Sequence, residues 1–371
     1  MKKEGGDHGR GVLVGEGVDS NTTLKGGKAM AHKAQKKGTK LVCCLAGLFF
    51  VMGSALVIGW HHEAMAQSPK MIFKLAHVYN PGHAWDEGAK LAAKIIKEKT
   101  NGQIEIQVFP SSQLGTEEQI TEGVIFGSID IAVSGAGQIG NLFRPILICE
   151  MPYTFKDNNH VIRFGKSDVA KRMFADLEKE FLVKVLAPSS WGIRQLTANK
   201  PVTTPADLKG FKLRVPEQMI TVAYGKAMGA EPTPVAYAEA YMALQQNVVD
   251  GLENPLSAIK NMRFYEVQKY INLTSHVTNC CFYLMNGAKF SALSADRKKL
   301  MLEAFDDASK LIVETLNKED KELIAFFESK GVKIHKPDLE AFKKATADMP
   351  VKFRKWWVRY GEDLHQKIQG M

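Results

Sequence analysis

Between Met71 and Val133 the hydrophobic pattern alternates between strand and helix, and that alternation restricts the architecture more than any other feature of the chain. MIFKLAHV (71–78) reads as a strand. Pro81 permits a helix start, and Leu91, Ile95 and Ile96 recur at helical spacing until Asn101-Gly102 ends the run. Ile104, Ile106 and Val108 then alternate as one face of a second strand, which Pro110 closes. Thr116 and Gln119 have capping-box spacing for a helix running to Gly127, and Ile129 to Val133 is a third strand. Parallel strands joined by helices are the economical solution to such a pattern, so an α/β layer is expected.

The pattern resumes downstream. Leu182–Ala187 and Ile193–Ala198 read as two strands, and Phe211–Val215 opens a new unit after Pro205 and Gly210. Helical stretches Ala223–Met228 and Ala238–Gln246 follow, then strand-like Tyr270–Thr274 and Cys281–Met285. Residues 295 to 330 contain neither Gly nor Pro, while Met301, Phe305, Ala308, Ile312, Leu316, Leu323 and Phe327 recur at helical spacing. That segment is one very long helix or two in line. Trp356 and Trp357 fall in a last helical stretch and are expected to dock into the core. Two α/β lobes with interlaced strands imply a cleft, because ligands of open α/β sheets collect at the carboxyl ends of strands.

Charge narrows the partners. Of 371 residues, 49 are Lys or Arg and 40 Asp or Glu, and 9 of the bases against 5 of the acids lie in residues 1–66. The body keeps only a small basic excess and no run of five or six like charges, which removes the usual basis for nucleic-acid binding. Lys33, Lys36, Lys37 and Lys40 precede an uncharged run from Leu41 to Trp60, followed by Ala64-Met65-Ala66. This reads as a secretory signal starting at Met30 and cleaved after Ala66, with an uncleaved anchor as the alternative and residues 1–29 an upstream extension. Cys43 and Cys44 leave with the signal. Cys149, Cys280 and Cys281 remain, an odd count without metal-ligand spacing, so they read as small buried residues. No metal or cofactor is called for.

Arg194 in WGIRQLT and Arg214 in FKLRVP each stand between apolar neighbours on an expected strand. A buried guanidinium requires a counter-ion, either an acid of the same chain or the carboxylate of a ligand. The residues alone leave both open.

The segments FPSSQLG (109–115), WGIRQLT, KPVTTPADLKGFKLRVP (200–216), EPTPVAYAEAYMALQQNVVDGLENP (231–255) and FYEVQKY (264–270) together resemble the solute-binding receptors of tripartite ATP-independent periplasmic (TRAP) transporters, dicarboxylate-receptor type. The resemblance covers essentially everything after the signal. It implies a periplasmic binding protein-like fold, with two α/β lobes about a ligand cleft and a long connecting helix. Residues 67–198 would form mainly the first lobe, 199–290 mainly the second, and 291–371 the long helix and C-terminal helices across both. It also implies a salt bridge from Arg214 to a ligand carboxylate, help from Arg194 and Asn254, and packing of Tyr237 on the ligand body. Glu117 would offer a polar group to the far end of the ligand or simply favour a helix N-terminus. Trp191 would wall the pocket or fill the core, and His77, His83 and Trp85 read as core or surface residues.

The implied activity is capture of a small organic acid: a dicarboxylate, a hydroxy or keto acid, a sugar acid or a sulfonate. Membrane permease subunits of the TRAP type would receive it, and the location would be periplasmic. Relatives that take sialic acid carry an asparagine and an acid where Val78 and Gly135 stand, which disfavours that ligand. Two other classes remain in view. A sensor feeding a membrane kinase would share the same body. An exported enzyme would need a nucleophile or acid/base pair, and no G-x-S-x-G elbow, phosphate loop or dinucleotide fingerprint occurs.

Overall fold

The structure, a computed structural model, describes residues 70–371. The signal read in residues 30–66, the extension before it, and Cys43 and Cys44 lie outside the described residues. Among those described, no helix is long and apolar enough to cross a membrane.

The first lobe opens with β1 (Met71–Ala76), α1 (Ala84–Lys99), β2 (Ile104–Phe109), α2 (Glu117–Phe126), β3 (Ile131–Gly135) and α3 (Ala136–Leu142). A short 3-10 segment, Arg144–Glu150, precedes α4 (Asn158–Lys166) and α5 (Asp168–Phe181). The expected capping box starts α2. Thr116 Oγ1 accepts from the Gln119 amide at 3.3 Å, and Gln119 Oε1 accepts from the Thr116 amide at 2.9 Å. Gly127 at φ 83° closes the helix, a conformation glycine adopts without a Cβ clash. β1 pairs in parallel with both β2 and β3, as the alternating pattern requires.

Next come β4 (Val183–Ala198), β5 (Lys212–Val215), α6 (Met219–Ala227), β6 (Glu231–Pro234), α7 (Ala240–Gln245), β7 (Gly251–Pro255), α8 (Leu256–Asn261) and β8 (Tyr270–Asn272). β9 (Thr278–Asn286), α9 (Gly287–Ser291), α10 (Ala295–Ser329) and β10 (Lys333–His335) follow, and short helical segments run to Gln369. The strand order is β2-β1-β3-β9-β4-β7-β5-β6, with β8 beside β4 and β10 beside β8.

β4 corrects the expectation of two strands: it is continuous over 16 residues. Pro188 and Gly192 look like breaks in the sequence, yet both hold register with β9, opposite Phe282 and Asn279, and the strand bulges instead at Leu186 and Trp191. Gly192 sits at φ +106°, where an added Cβ would lie 2.9 Å from Pro255. Residues 183–193 pair with β9 in the first lobe, whereas Arg194 to Ala198 pair with β7 and β8 in the second. One strand therefore carries Trp191 and Arg194 across the junction.

β9 lies between β3 and β4 in the sheet that begins with β1 and β2, while most of the 199–290 segment pairs or packs elsewhere. α10 is a single 35-residue helix capped by Ser294. It packs on α1 and β4, and reaches α8 and β10. Its buried Met301, Phe305, Ala308, Ile312 and Leu316 join the larger core, and Leu323 and Phe327 join the smaller core of the second lobe. Trp357 is buried and Trp356 partly so; Trp356 ends one short 3-10 turn and Trp357 joins it to the next, in place of a regular helix. Cys149, Cys280 and Cys281 are buried free thiols.

Candidate functional site

The six residues singled out in the sequence, Glu117, Trp191, Arg194, Arg214, Tyr237 and Asn254, all line one cavity. The two arginines within it are electrostatically unlike.

Arg214, on β5, is 1% exposed. Its Nε and Nη2 both donate to the Val235 carbonyl, at 3.0 and 2.7 Å, which fixes the plane of the guanidinium. Nη1 is buried without a hydrogen-bond partner, and no carboxylate among the described residues forms an ion pair with the group. Burial pushes its pKa down to about 10, so it remains a cation at neutral pH. The edge formed by Nη1 and the second hydrogen of Nη2 has the spacing of a carboxylate fork.

Arg194, by contrast, has its acid at hand. It forms a buried ion pair with Glu253 through Nε, donates from Nη2 to Glu253 Oε1 and to the Glu253 carbonyl, each at 2.6 Å, and from Nη1 to Asn279 Oδ1 at 3.1 Å. Burial alone would lower the Arg194 pKa, but Glu253 beside it holds it above its ordinary value. Glu253, opposed by its own burial, is drawn down to about 2 by Arg194 and by His276, whose Nε2 lies 3.2 Å from Oε2. Of the two outcomes open to a buried guanidinium, Arg194 shows the internal one. Its reach toward a ligand is confined to what remains of Nη1.

Asn254 follows Glu253 on β7, and its Nδ2 is buried without a partner. The same is true of the Tyr237 hydroxyl and of Trp191 Nε1. Tyr237 packs edge-on against Tyr79 at 5.3 Å, and Tyr79 meets Trp191 at 5.8 Å, so three aromatic rings form a continuous wall. Trp191 in turn lies against Gly135 at the end of β3, where a Cβ would intrude on the indole. A side chain at 135 and the indole at 191 exclude each other in this packing, and Val78 lines the cavity nearby.

Glu117 is the first residue of α2 and also lines the cavity. Oε1 accepts from the Gly135 amide at 2.8 Å, and Oε2 from Gln218 Nε2 at 3.4 Å. Burial pushes its pKa up to about 7 against the pull of the Gly135 amide and the two arginines. The weaker candidates are structural. Trp85 donates from Nε1 to the Ser190 carbonyl at 3.1 Å, His83 caps α1 through the Trp85 amide, and His77 sits 3.4 Å from Asp86.

Glu150, Asn279 and Gln218 also line the cavity and were not singled out in the sequence. Glu150 is the lone acid in the apolar run PILICEMPY, and Glu253 is the lone charge in GLENP; a charge among apolar neighbours was the signal available for both. Among the described residues no group of His, Cys, Asp and Glu side chains is arranged to hold a metal ion.

Comparison with known proteins places this geometry in context. Residues 75–355 match the family described as bacterial extracellular solute-binding protein, family 7. The sialic acid-binding periplasmic protein of Vibrio cholerae is 32% identical over 283 residues, 76% of this chain and 87% of that protein. A TRAP periplasmic solute-binding protein from Roseobacter denitrificans, solved with bound L-galactonate, superposes with a TM-score of 0.75 at 29% identity, covering 81% of this chain and 98% of that one. A TRAP solute-binding protein from Polaromonas, solved with D-erythronate, gives 0.77 at 27% identity over 81% and 99%.

Proposed function

The chain belongs to the family 7 bacterial extracellular solute-binding proteins, the receptors of TRAP transporters, and we propose that it captures a small organic acid anion between its lobes. The observation that carries this reading is the cluster of buried donors without partners on one cavity: Arg214 Nη1, Asn254 Nδ2, the Tyr237 hydroxyl and Trp191 Nε1. Buried donors of this kind are costly unless an acceptor answers them, and a carboxylate answers several at once.

In this reading the carboxylate takes the open edge of Arg214 as a bidentate pair, and Asn254 adds a third hydrogen bond. Arg194 acts mainly by holding Glu253 and Asn279, contributing positive potential and one remaining N–H. Tyr237, Tyr79 and Trp191 cover the ligand body, and Glu117 meets its far end. The relatives solved with L-galactonate and D-erythronate support a hydroxylated acid. Sialic acid is disfavoured by Val78 and by the Trp191 ring against Gly135, although one relative is named for it. Delivery would be to the membrane permease of a TRAP transporter, after export directed by residues 30–66. The relatives named above are binding proteins rather than enzymes, consistent with capture without turnover.

The test is a thermal-shift panel of C4 to C6 organic acids on the purified mature protein, with mass spectrometry of any acid that co-purifies. A ligand at 100 times its Kd stabilises by about 2.7 kcal/mol, a readily measured shift. No stabilisation by any acid of the panel, and no co-purifying acid, would overturn the reading.

A further inference from the structure

Glu150 is a second unanswered group on the cavity, of opposite chemistry to Arg214. It ends the 3-10 segment after α3, is 1% exposed and lines the same space. Asn279 Nδ2 donates to its Oε2, so that oxygen is occupied as an acceptor. Oε1 is buried and has no hydrogen-bond partner. The charged and titratable groups around it are Arg194 on β4, Glu117 on α2, Glu253 on β7, Tyr224 on α6 and the Cys280 and Cys281 thiols on β9. The one cation among them is already paired with Glu253.

We propose that Glu150 is a specificity-determining residue whose free oxygen meets a hydroxyl of the ligand's uncharged end, so that the site selects hydroxylated monocarboxylates over the corresponding dicarboxylates. The inference rests on the anion-capture reading above. A hydroxyl donates to an ionised carboxyl and accepts from a neutral one, so it suits Glu150 in either state. A second carboxylate suits only the protonated state, and would enter beside Glu117 and Glu150, since Glu253 and Arg194 neutralise each other and Arg214 is taken by the first carboxylate. Burial pushes Glu150 up to about 8, Arg194 opposing, so both states are accessible near neutral pH. The residue therefore sets a penalty on a second charge, and that penalty grows with pH.

The experiment compares C4 to C6 aldonates with their aldarates, for example L-galactonate with galactarate, which differ only in the oxidation of the far carbon. Kd is measured by calorimetry at pH 6 and pH 9 for the wild type and Glu150→Gln. With Glu150 raised to about 8, binding of the diacid to the protonated form alone costs almost nothing at pH 6 and about 10-fold at pH 9, so the wild-type preference for the monoacid should rise by about 10-fold between them. In E150Q the monoacid Kd should stay within about 5-fold, because the amide still pairs with a hydroxyl, while the rise in preference with pH should be lost. An unchanged preference overturns the proposal and leaves anion capture intact. Equal weakening of both acids also overturns it, since that is the mark of a purely structural residue. If no acid of either series binds the wild type, the anion-capture reading itself fails and this inference with it. Should E150Q not accumulate as folded protein, Glu150→Asp retains the charge but withdraws the oxygen. The preference should then persist while the monoacid binds more weakly, and an unaffected monoacid would refute the contact.

Discussion

Replacing Arg214 with methionine separates a ligand-binding arginine from a structural one, because the two roles predict opposite effects on the free protein. Methionine keeps an unbranched side chain of comparable length and removes only the cation. In the unliganded protein the guanidinium is buried, has no acid partner and gives two hydrogen bonds to a single carbonyl, that of Val235. Its removal relieves the desolvation of an unpaired charge and costs about 1–3 kcal/mol for the carbonyl left behind, so the net change in folding stability should be near zero or favourable. Binding should respond differently. Loss of a buried, hydrogen-bonded charge opposite a ligand carboxylate costs about 2–5 kcal/mol, a rise in Kd of about 30-fold to several thousand-fold. Chemical denaturation gives the first quantity and titration calorimetry with the best acid of the panel gives the second. Arg214→Lys should fall between, since one ammonium cannot reproduce two parallel N–H donors. Unchanged affinity in R214M, or a stability loss of about 3–5 kcal/mol with affinity intact, would refute the assignment, the latter being what a buried ion pair gives when broken.

Glu253→Gln should show that structural pattern: it leaves Arg194 buried without its counter-ion and should cost about 3–5 kcal/mol in urea denaturation, several-fold more than Arg214→Met. Gly135→Ala should destabilise by about 1–3 kcal/mol because its methyl intrudes on Trp191, and a double-mutant cycle with Trp191→Ala should recover much of that loss; additive effects would contradict the packing described. The carboxyls of Glu117 and Glu150 are raised in the folded protein, to about 7 and about 8, so the folded state holds protons that the unfolded state has released above about pH 4.5. Stability of the unliganded protein should therefore decline as pH rises from about 5 to 8, and the decline should be shallower in Glu150→Gln; thermal melts across that range measure both. Glu253 works in the other direction: its folded value near 2 contributes stability above about pH 4.5 that is lost as pH falls toward 2, and Glu253→Gln should remove that part of the acid profile.

Much of the fold was legible because its determinants are local. The Thr116–Gln119 capping box, the stop at Gly127 and the apolar stripe of α10 each depend on residues a few positions apart. What could not be read depends on pairing across long separations. β9 enters the first lobe's sheet between β3 and β4, and no local pattern in residues 278–286 distinguishes that neighbour from one in the second lobe. β4 reads as two strands because Pro188 and Gly192 ordinarily interrupt pairing, and only its neighbours reveal that both keep register with β9.

The same division runs through the site. The resemblance placed six residues on one cavity, but whether a given arginine is free or paired is decided by register. Leu196 lies opposite Glu253 in the β4–β7 ladder, which brings Glu253 to Arg194, 59 positions away in sequence. Arg214 lies on β5, where its partner is a carbonyl instead. The rule that flagged both arginines, a charge among apolar neighbours, applies equally to acids. Extended to Glu150 and Glu253, it identifies one acid that neutralises an arginine and one that faces the cavity.

The proposed capture would couple ligand binding to closure of the lobes. The lobes also meet through single hydrogen bonds: the Asn80 amide with Asn261 Oδ1 at 3.1 Å, Asn141 with the Glu217 carbonyl and the Met219 amide at 3.1 and 3.2 Å, and Gln218 with the Glu117 carboxyl at 3.4 Å. Hydrogen bonds of this kind, part-buried or exposed, contribute about 0.5–1.5 kcal/mol each at most, comparable with the cost of ordering the side chains that make them. They add little to holding the lobes together. The free donors divide between the lobes: Arg214, Asn254 and Tyr237 on the second, Trp191 on the first, with the Glu150 acceptor beside it. An acid held by Arg214 alone would gain the same energy in an open or a closed cleft and would shift nothing. In the proposed mechanism only a ligand whose far end also satisfies the first lobe would favour closure, so the group at that end would govern closure as well as affinity.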